Sequence, residues 1–139
     1  MNPIPYFDAH CDTIHRCSMA GTPLRDPELR AFYDAAGSLR HSGGHIDLER
    51  AGAFSRYAQF FALYQDPRLL PQGSTMAKQG QLLHQRFLQE MEQNCDVMVH
   101  CRTGRDVDRA VAEGKMAALL SIEGAELLDC RIDRLDMAR

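Results

Sequence analysis

The feature that most constrains the fold is the run Met116-Ala117-Ala118-Leu119-Leu120-Ser121-Ile122, nearly free of polar residues and stopped by Glu123-Gly124. Seven residues are too few for a core helix, and an apolar run without alternation reads as a strand covered on both faces, the signature of a parallel sheet. Tyr57 to Tyr64 repeats the pattern with aromatics, and Asp96 to Val99 and Tyr6 to Ala9 read as two briefer strands. Helical stretches lie between them. Thr13 to Met19 is closed by Gly21, and Asp26-Pro27 is an N-cap and N1 pair for a helix through about Tyr33. A turn of helix covers Leu48 to Ala51. Ser74 or Thr75 caps a long helix with Met76, Leu83, Phe87 and Met91 on one stripe, ending near Asn94. Thr103-x-x-Asp106 is a capping box opening a helix with Val107, Ala110 and Val111 inward, which Gly114 closes.

Strand and helix in alternation predict a parallel α/β fold, either open and doubly wound or closed as an eight-stranded barrel. A barrel takes about 250 residues, so four strands in 139 amount to about half of one. Ile132 to Arg139 reads as a helix beginning. The expectation is one domain over residues 1–139, the front portion of a larger enzyme, incomplete at its C-terminus.

Composition excludes several classes. A formal charge of -3 offers no basic stripe for a phosphate backbone, which argues against nucleic acid. The start, Met1 to Pro5, has no cationic region before a long apolar stretch, and no run approaches the ~20 apolar residues that span a bilayer, so no membrane association and a cytoplasmic location are expected. Five cysteines (Cys11, Cys17, Cys95, Cys101, Cys130) form no C-x-x-C pair and read as reduced core or surface residues.

Chemistry concentrates at two strand ends. In an extended His10-Cys11-Asp12 the imidazole and the carboxylate point the same way, a pair that ligates a divalent metal or, structurally, caps the next helix. Glu123 ends an apolar strand on the face of Leu119 and Ser121; it is either solvated there or converges with His10 and Asp12, since carboxyl ends of parallel strands share a crevice. Position alone leaves both readings open.

Three stretches together resemble the membrane dipeptidase (renal dipeptidase) family of zinc metallopeptidases. Asp8-Ala9-His10-Cys11-Asp12 is similar to its Asp-Gly-His-x-Asp start. His45 to Arg50, followed by Ala58-Gln59-Phe60-Phe61, is similar to its approach to the second strand, and Glu113-Gly114-Lys115 through Glu123-Gly124 to its Glu-Gly-Lys to Val-Glu-Gly segment. The resemblance implies a TIM-type (β/α)8 barrel of which this chain supplies about the first half, with His10 and Asp12 on one Zn2+ and Glu123 bridging to a second; Mn2+ or Co2+ suits the same ligands. It implies a dipeptide substrate whose peptide bond is attacked by a water held between the metals. The family's later histidines, arginine and aspartate have no counterpart here, so no catalytic or substrate-binding residue is assigned and the isolated chain is expected to be inactive. His15, His41, His84 and His100 match no motif and read as solvated or capping. Ala9 stands for the family's glycine, and Phe54-Ser55 for glycines before the second strand. Two alternatives remain. One is another amidohydrolase-like metal hydrolase, against which Asp12 stands where His-x-His is usual; the other is a catalytically silent half-barrel that self-associates through open strand edges.

Overall fold

The computed structural model describes residues 5–134. Four parallel strands form one sheet: β1 (Pro5–Cys11), β2 (Arg56–Leu63), β3 (Met98–His100) and β4 (Met116–Ile122), in the order β1-β2-β4-β3. Five α-helices accompany them: α1 (Thr13–Met19), α2 (Pro27–Asp34), α3 (Leu48–Ala51), α4 (Met76–Gln93) and α5 (Gly104–Ala112). The architecture is the expected parallel α/β, and the helices fall within a residue or two of the spans read from the sequence.

The local signals act as their chemistry requires. Asp26 accepts from the backbone N–H groups of Glu28 and Leu29 ahead of Pro27, and Thr75 caps α4 through the N–H of Lys78. At α5 both halves of the capping box are formed by Thr103 and Asp106.

Five expectations are corrected. The third strand begins at Met98, because the Asn94 carbonyl accepts from both Val97 and Met98 and the chain is still turning there. β1 runs on through His10 to Cys11, and β2 stops at Leu63, leaving Tyr64 beyond its end. β4 is fully buried only over Met116 to Ala118; its carboxyl half is partly exposed, since β3 stops opposite Ala118. Past β4 the chain makes a short 3-10 turn over Ala125–Leu128. The helix expected from Ile132 to Arg139 is a single 3-10 turn over 132–134, and its remainder lies outside the described residues.

The strand order follows from β3 being so short. A barrel takes its strands in chain order, whereas here β4 pairs directly with β2 from Ala58↔Ala117 to Leu63↔Ile122, and β3 flanks only the first three residues of β4. The chain steps past the position of β4 and then returns to it. With crossovers of the usual right hand such a return puts α4 and α5 on opposite faces, where they are found. On one face Leu83, Phe87 and Met91 of α4 and Ile14 of α1 pack on Phe61, Leu63, Met116 and Ala118 in the larger core. On the other, Ala110 and Val107 of α5 cover Ala58, Ala117 and Leu119. Leu83 and Phe87 are wholly enclosed, and each such side chain stabilises by about 1.5–3 kcal/mol relative to exposure.

Gly80 lies within α4, where glycine costs about 1 kcal/mol relative to alanine. The 3-10 turn after β4 explains it: a Cβ on Gly80 would lie 3.2 Å from the Leu127 Cβ and 3.3 Å from its carbonyl oxygen. That close approach fixes the segment following Glu123 against α4.

Thiol chemistry agrees with the burial. All five cysteines are free; Cys11, Cys17 and Cys101 are buried, Cys95 and Cys130 exposed. Burial pushes the Cys11 and Cys17 thiols up to about 11, so little thiolate forms at neutral pH. Titration with a chromogenic disulfide at pH 8 is expected to show two fast thiols and three that react only on unfolding. Rapid reaction of a third thiol in the folded protein would contradict this burial.

Candidate metal centre

The carboxyl end of β1 contains a bulge that aims the site. Asp8 lies opposite Gln59 and Cys11 opposite Phe61, so three steps along β1 match two along β2. The N–H of His10 turns to the Asp8 carboxylate instead, at 3.1 Å. Cys11 is thereby set into the larger core, beside Phe61, while His10 is left exposed at the strand end. Bulges of this kind commonly re-aim a side chain beside an active site.

Asp12 follows in the N-cap position of α1, with φ -98° and ψ 20°, so it is not extended as the sequence pattern assumed. Its carboxylate makes no capping hydrogen bond to α1. The capping reading of the triplet therefore fails at its defining contact, although aspartate is among the best N-caps. The Asp12 Oδ1 instead lies 3.3 Å from His10 Nε2.

Glu123 arrives from β4. Its N–H donates to the Leu63 carbonyl at 3.0 Å, continuing the β2–β4 ladder by one residue. Gly124 then turns the chain with φ +83°, a backbone conformation that glycine adopts without strain and L side chains rarely do, and the turn leaves the acid at the rim. Glu123 Oε2 lies 3.1 Å from His10 Nε2, and one ligating atom from each of the three residues falls within 4.8 Å of the others. All three side chains are about half exposed (51%, 51% and 46%).

The geometry suits a divalent cation on two counts. Ligands about 2.0–2.1 Å from a tetrahedral zinc stand about 3.3 Å apart, and the two histidine–carboxylate separations are 3.3 and 3.1 Å. In addition, two carboxylates of like charge converge on one imidazole nitrogen, which has at most one hydrogen to offer them. A cation at their centre satisfies both. No other group of three or more potential ligands meets the same test among the described residues.

The remaining histidines divide. His41 is exposed and pairs with Glu49 at 3.2 Å, and His84 is exposed on α4. His15 corrects the expectation of a solvated or capping role: it is buried, edge-on to the rings of Tyr33 and Tyr64, and its Nε2 has no partner. Burial lowers its pKa, opposed by the charges of Asp12 and Asp66. Burial also lowers that of His100, which packs against Phe87. A histidine held neutral in the folded chain takes up its proton on unfolding, so stability rises with pH through this range. Chemical denaturation is expected to show stability falling as pH drops below about 6.5, with a shallower fall in His15→Phe. An unchanged slope in that variant would remove His15 as a cause.

The second sequence motif, His45 to Arg50, proves structural. Asp47 caps α3 through the Arg50 N–H and holds its guanidinium, which also reaches the Gly44 carbonyl. The hydrogen bonds from Arg50 hold the Asp47 carboxyl below its ordinary value.

No protein-family model matches the chain. A curated relative, described as an uncharacterized protein in the PQQ-III 3' region of Acinetobacter calcoaceticus, is 29% identical over 149 aligned positions, covering 96% of this chain and 45% of its own length. Among solved structures, a metallo peptidase from Rhodobacter sphaeroides, liganded with a phosphinate mimic of the dipeptide L-Ala-D-Ala, superposes with a TM-score of 0.66 at 24% identity. The dipeptidase AC, a metallo peptidase of family M19, gives the same score and identity, and the probable dipeptidase PvdM from Pseudomonas aeruginosa gives 0.65 at 17%. These three matches cover 99%, 99% and 97% of this chain but only 43%, 42% and 32% of theirs. The class defined by fold is thus the α/β fold of dipeptidase metallopeptidases, and the chain spans less than half the length of the proteins it matches. What the likeness shows is the fold that these three structures share.

Proposed function

We propose that residues 1–139 form the N-terminal part, as one domain, of a zinc-dependent dipeptidase with a (β/α)8 barrel, and that His10, Asp12 and Glu123 are its metal ligands. The single observation carrying this reading is the meeting of those three side chains, from strand ends 111 and 113 residues apart in sequence, around one point. In this reading β1, β2 and β4 are consecutive barrel strands, and β3 is a short flanking piece.

The roles of the chain's own residues follow from their chemistry. His10 offers Nε2, its backbone held by Asp8 through the bulge. Asp12 offers an oxygen from the cap position, and Glu123 has two oxygens, which fits it to bridge a pair of ions. A bound divalent cation supplies Lewis-acid polarisation of the peptide carbonyl and a water acidic enough to attack it near neutral pH. Carboxylate and imidazole donors also accept Mn2+ or Co2+.

Zn2+, Mn2+ and Co2+ titrations of the chain test the ligand set, and assay of dipeptide hydrolysis by a full-length, metal-loaded protein, with and without a chelator, tests the activity. Saturable binding by the chain is expected, with hydrolysis by the full-length protein that requires the metal and is lost on chelation, and no hydrolysis by the isolated chain. Absence of cation binding, or hydrolysis that survives chelation, would sink it.

A second reading, a silent half-barrel that self-associates, has its own support. Phe7 is 61% exposed on β1, and the edge of β4 beyond His100 has no strand beside it among the described residues. Light scattering separates it: a monodisperse monomer at micromolar concentration counts against self-association. No helix among the described residues is long and apolar enough to cross a membrane.

A further inference from the structure

The candidate centre leaves its two carboxylates without support from behind. Among the described residues, Asp12 and Glu123 are each approached by His10 and by no other side-chain donor. When a cation binds through His10 Nε2, even that contact is exchanged for coordination. Ligating carboxylates are ordinarily held by outer hydrogen-bond donors, which fix their orientation and raise metal affinity.

Tyr64 is placed to be that donor. It is the first residue past β2, and the carbonyl of the preceding Leu63 accepts from the N–H of Glu123, so the two residues leave neighbouring strands at the same rim. Its ring packs against His15 of α1, with centroids 5.7 Å apart and the planes at 68°. His15 in turn lies edge-on to Tyr33 at 5.6 Å. The packing thus ties Tyr64 to the helix that begins directly after Asp12. The tyrosine stands one step past the Leu63–Ile122 pair, opposite Glu123 across the β2–β4 ladder, and a phenol is a neutral donor at ordinary pH.

We propose that Tyr64 is a positioning residue of this centre, its phenolic O–H donating to the Glu123 carboxylate when that carboxylate turns from His10 to a divalent cation. The inference rests on the metal reading above and adds a donor to it. The His15 imidazole, buried against that ring, has a packing role that leaves its Nε2 unpartnered.

The test uses Zn2+ in competition with a chromophoric chelator, on the parent chain and on Tyr64→Phe, which keeps the ring and removes only the hydroxyl. The variant is expected to keep the parent's thermal midpoint and to bind Zn2+ about 10-fold more weakly, at the lower end of what loss of an outer partner costs. A second measurement is independent of folding losses in the variant. The chain has four tyrosines and no tryptophan, so near-ultraviolet difference absorption on Zn2+ saturation reports tyrosine alone. A difference band in the parent that disappears in Tyr64→Phe supports the assignment, since a purely structural ring gives none. Equal affinity in the two proteins, or a tyrosine spectrum unmoved by Zn2+ in the parent, overturns it while leaving the three-ligand site standing. Failure of the parent to bind Zn2+ overturns the metal reading itself and this inference with it.

Discussion

Glu123→Ala is expected to weaken divalent-cation binding by more than about 100-fold while leaving the thermal midpoint close to that of the parent. Outer partners of metal ligands cost 10–100-fold when removed, and a direct ligand sets a larger loss. With Glu123 gone, one imidazole and one carboxylate remain, a pair with too few donors to define a tetrahedral site. Stability is spared because the Glu123 side chain is about half exposed and its structural contribution is the backbone bond to Leu63, which alanine preserves. Glu123→Gln separates charge from shape: it keeps one carbonyl oxygen but no negative charge, and an intermediate loss is expected. The measurement is Zn2+ competition against a chelator, with thermal unfolding in parallel. Parent-like affinity in the alanine variant would mean that any cation the chain holds lies elsewhere.

The parts of this site that were legible in the sequence are those fixed by local chemistry. The run ending at Glu123-Gly124 announces a strand with an acid at its carboxyl end, because seven apolar residues and a glycine stop need no partner to be recognised. Thr103 and Asp106 are legible for the same reason: the two halves of a capping box are three residues apart. What the sequence could not show is register. The bulge at Asp8 to Cys11 exists only relative to Gln59 and Phe61, about fifty residues away, so simple alternation anticipated the right neighbours for His10 while misdescribing the backbone of Asp12. The position of β3 was blurred in the same way. Asp96 and Val97 have strand-like neighbours in the sequence, but the Asn94 carbonyl keeps them in a turn, and Asp96 is drawn to Arg40, 56 residues away. In sequence His15 reads as solvated or capping and Tyr64 as the end of a strand, because a histidine in a short helix and a tyrosine at a strand end announce nothing until their rings are seen to meet.

The same limit hides a buried polar anchor on α4, and its loss is expected to lower stability substantially. Glu90 and Arg86 stand four apart on α4, a spacing that in sequence reads as an exposed pair contributing a few tenths of a kcal/mol. In the fold Glu90 is wholly buried. One carboxylate oxygen accepts from Arg86 at 2.7 Å; the other accepts from the Leu39 N–H and the Asn94 amide, both at 3.1 Å. Arg86 also donates to the Gly37 carbonyl. This network ties the segment before α3 to the long helix and closes the core over Leu39, which is itself fully enclosed. Glu90→Ala would leave the Leu39 N–H without a partner and take from the Asn94 amide one of its two acceptors, the Glu90 backbone carbonyl remaining. Breaking a buried pair by removing one member typically costs 3–5 kcal/mol, and since the Arg86 side chain is 27% exposed and can turn to water, the lower end, about 3 kcal/mol, is expected here. For a chain of this size that is a fall of about 10 °C in the thermal midpoint. Glu90→Gln retains an acceptor for Leu39 but no charge for Arg86, and about half the loss is expected. Zn2+ affinity measured well below the midpoint should change little in either variant, because the network lies on α4 and the Leu39 segment, whereas the centre stands at the ends of β1 and β4. A midpoint within 2–3 °C of the parent in Glu90→Ala, a loss of about 1 kcal/mol or less, would show that water replaces the carboxylate and that the segment before α3 is held by its apolar contacts alone.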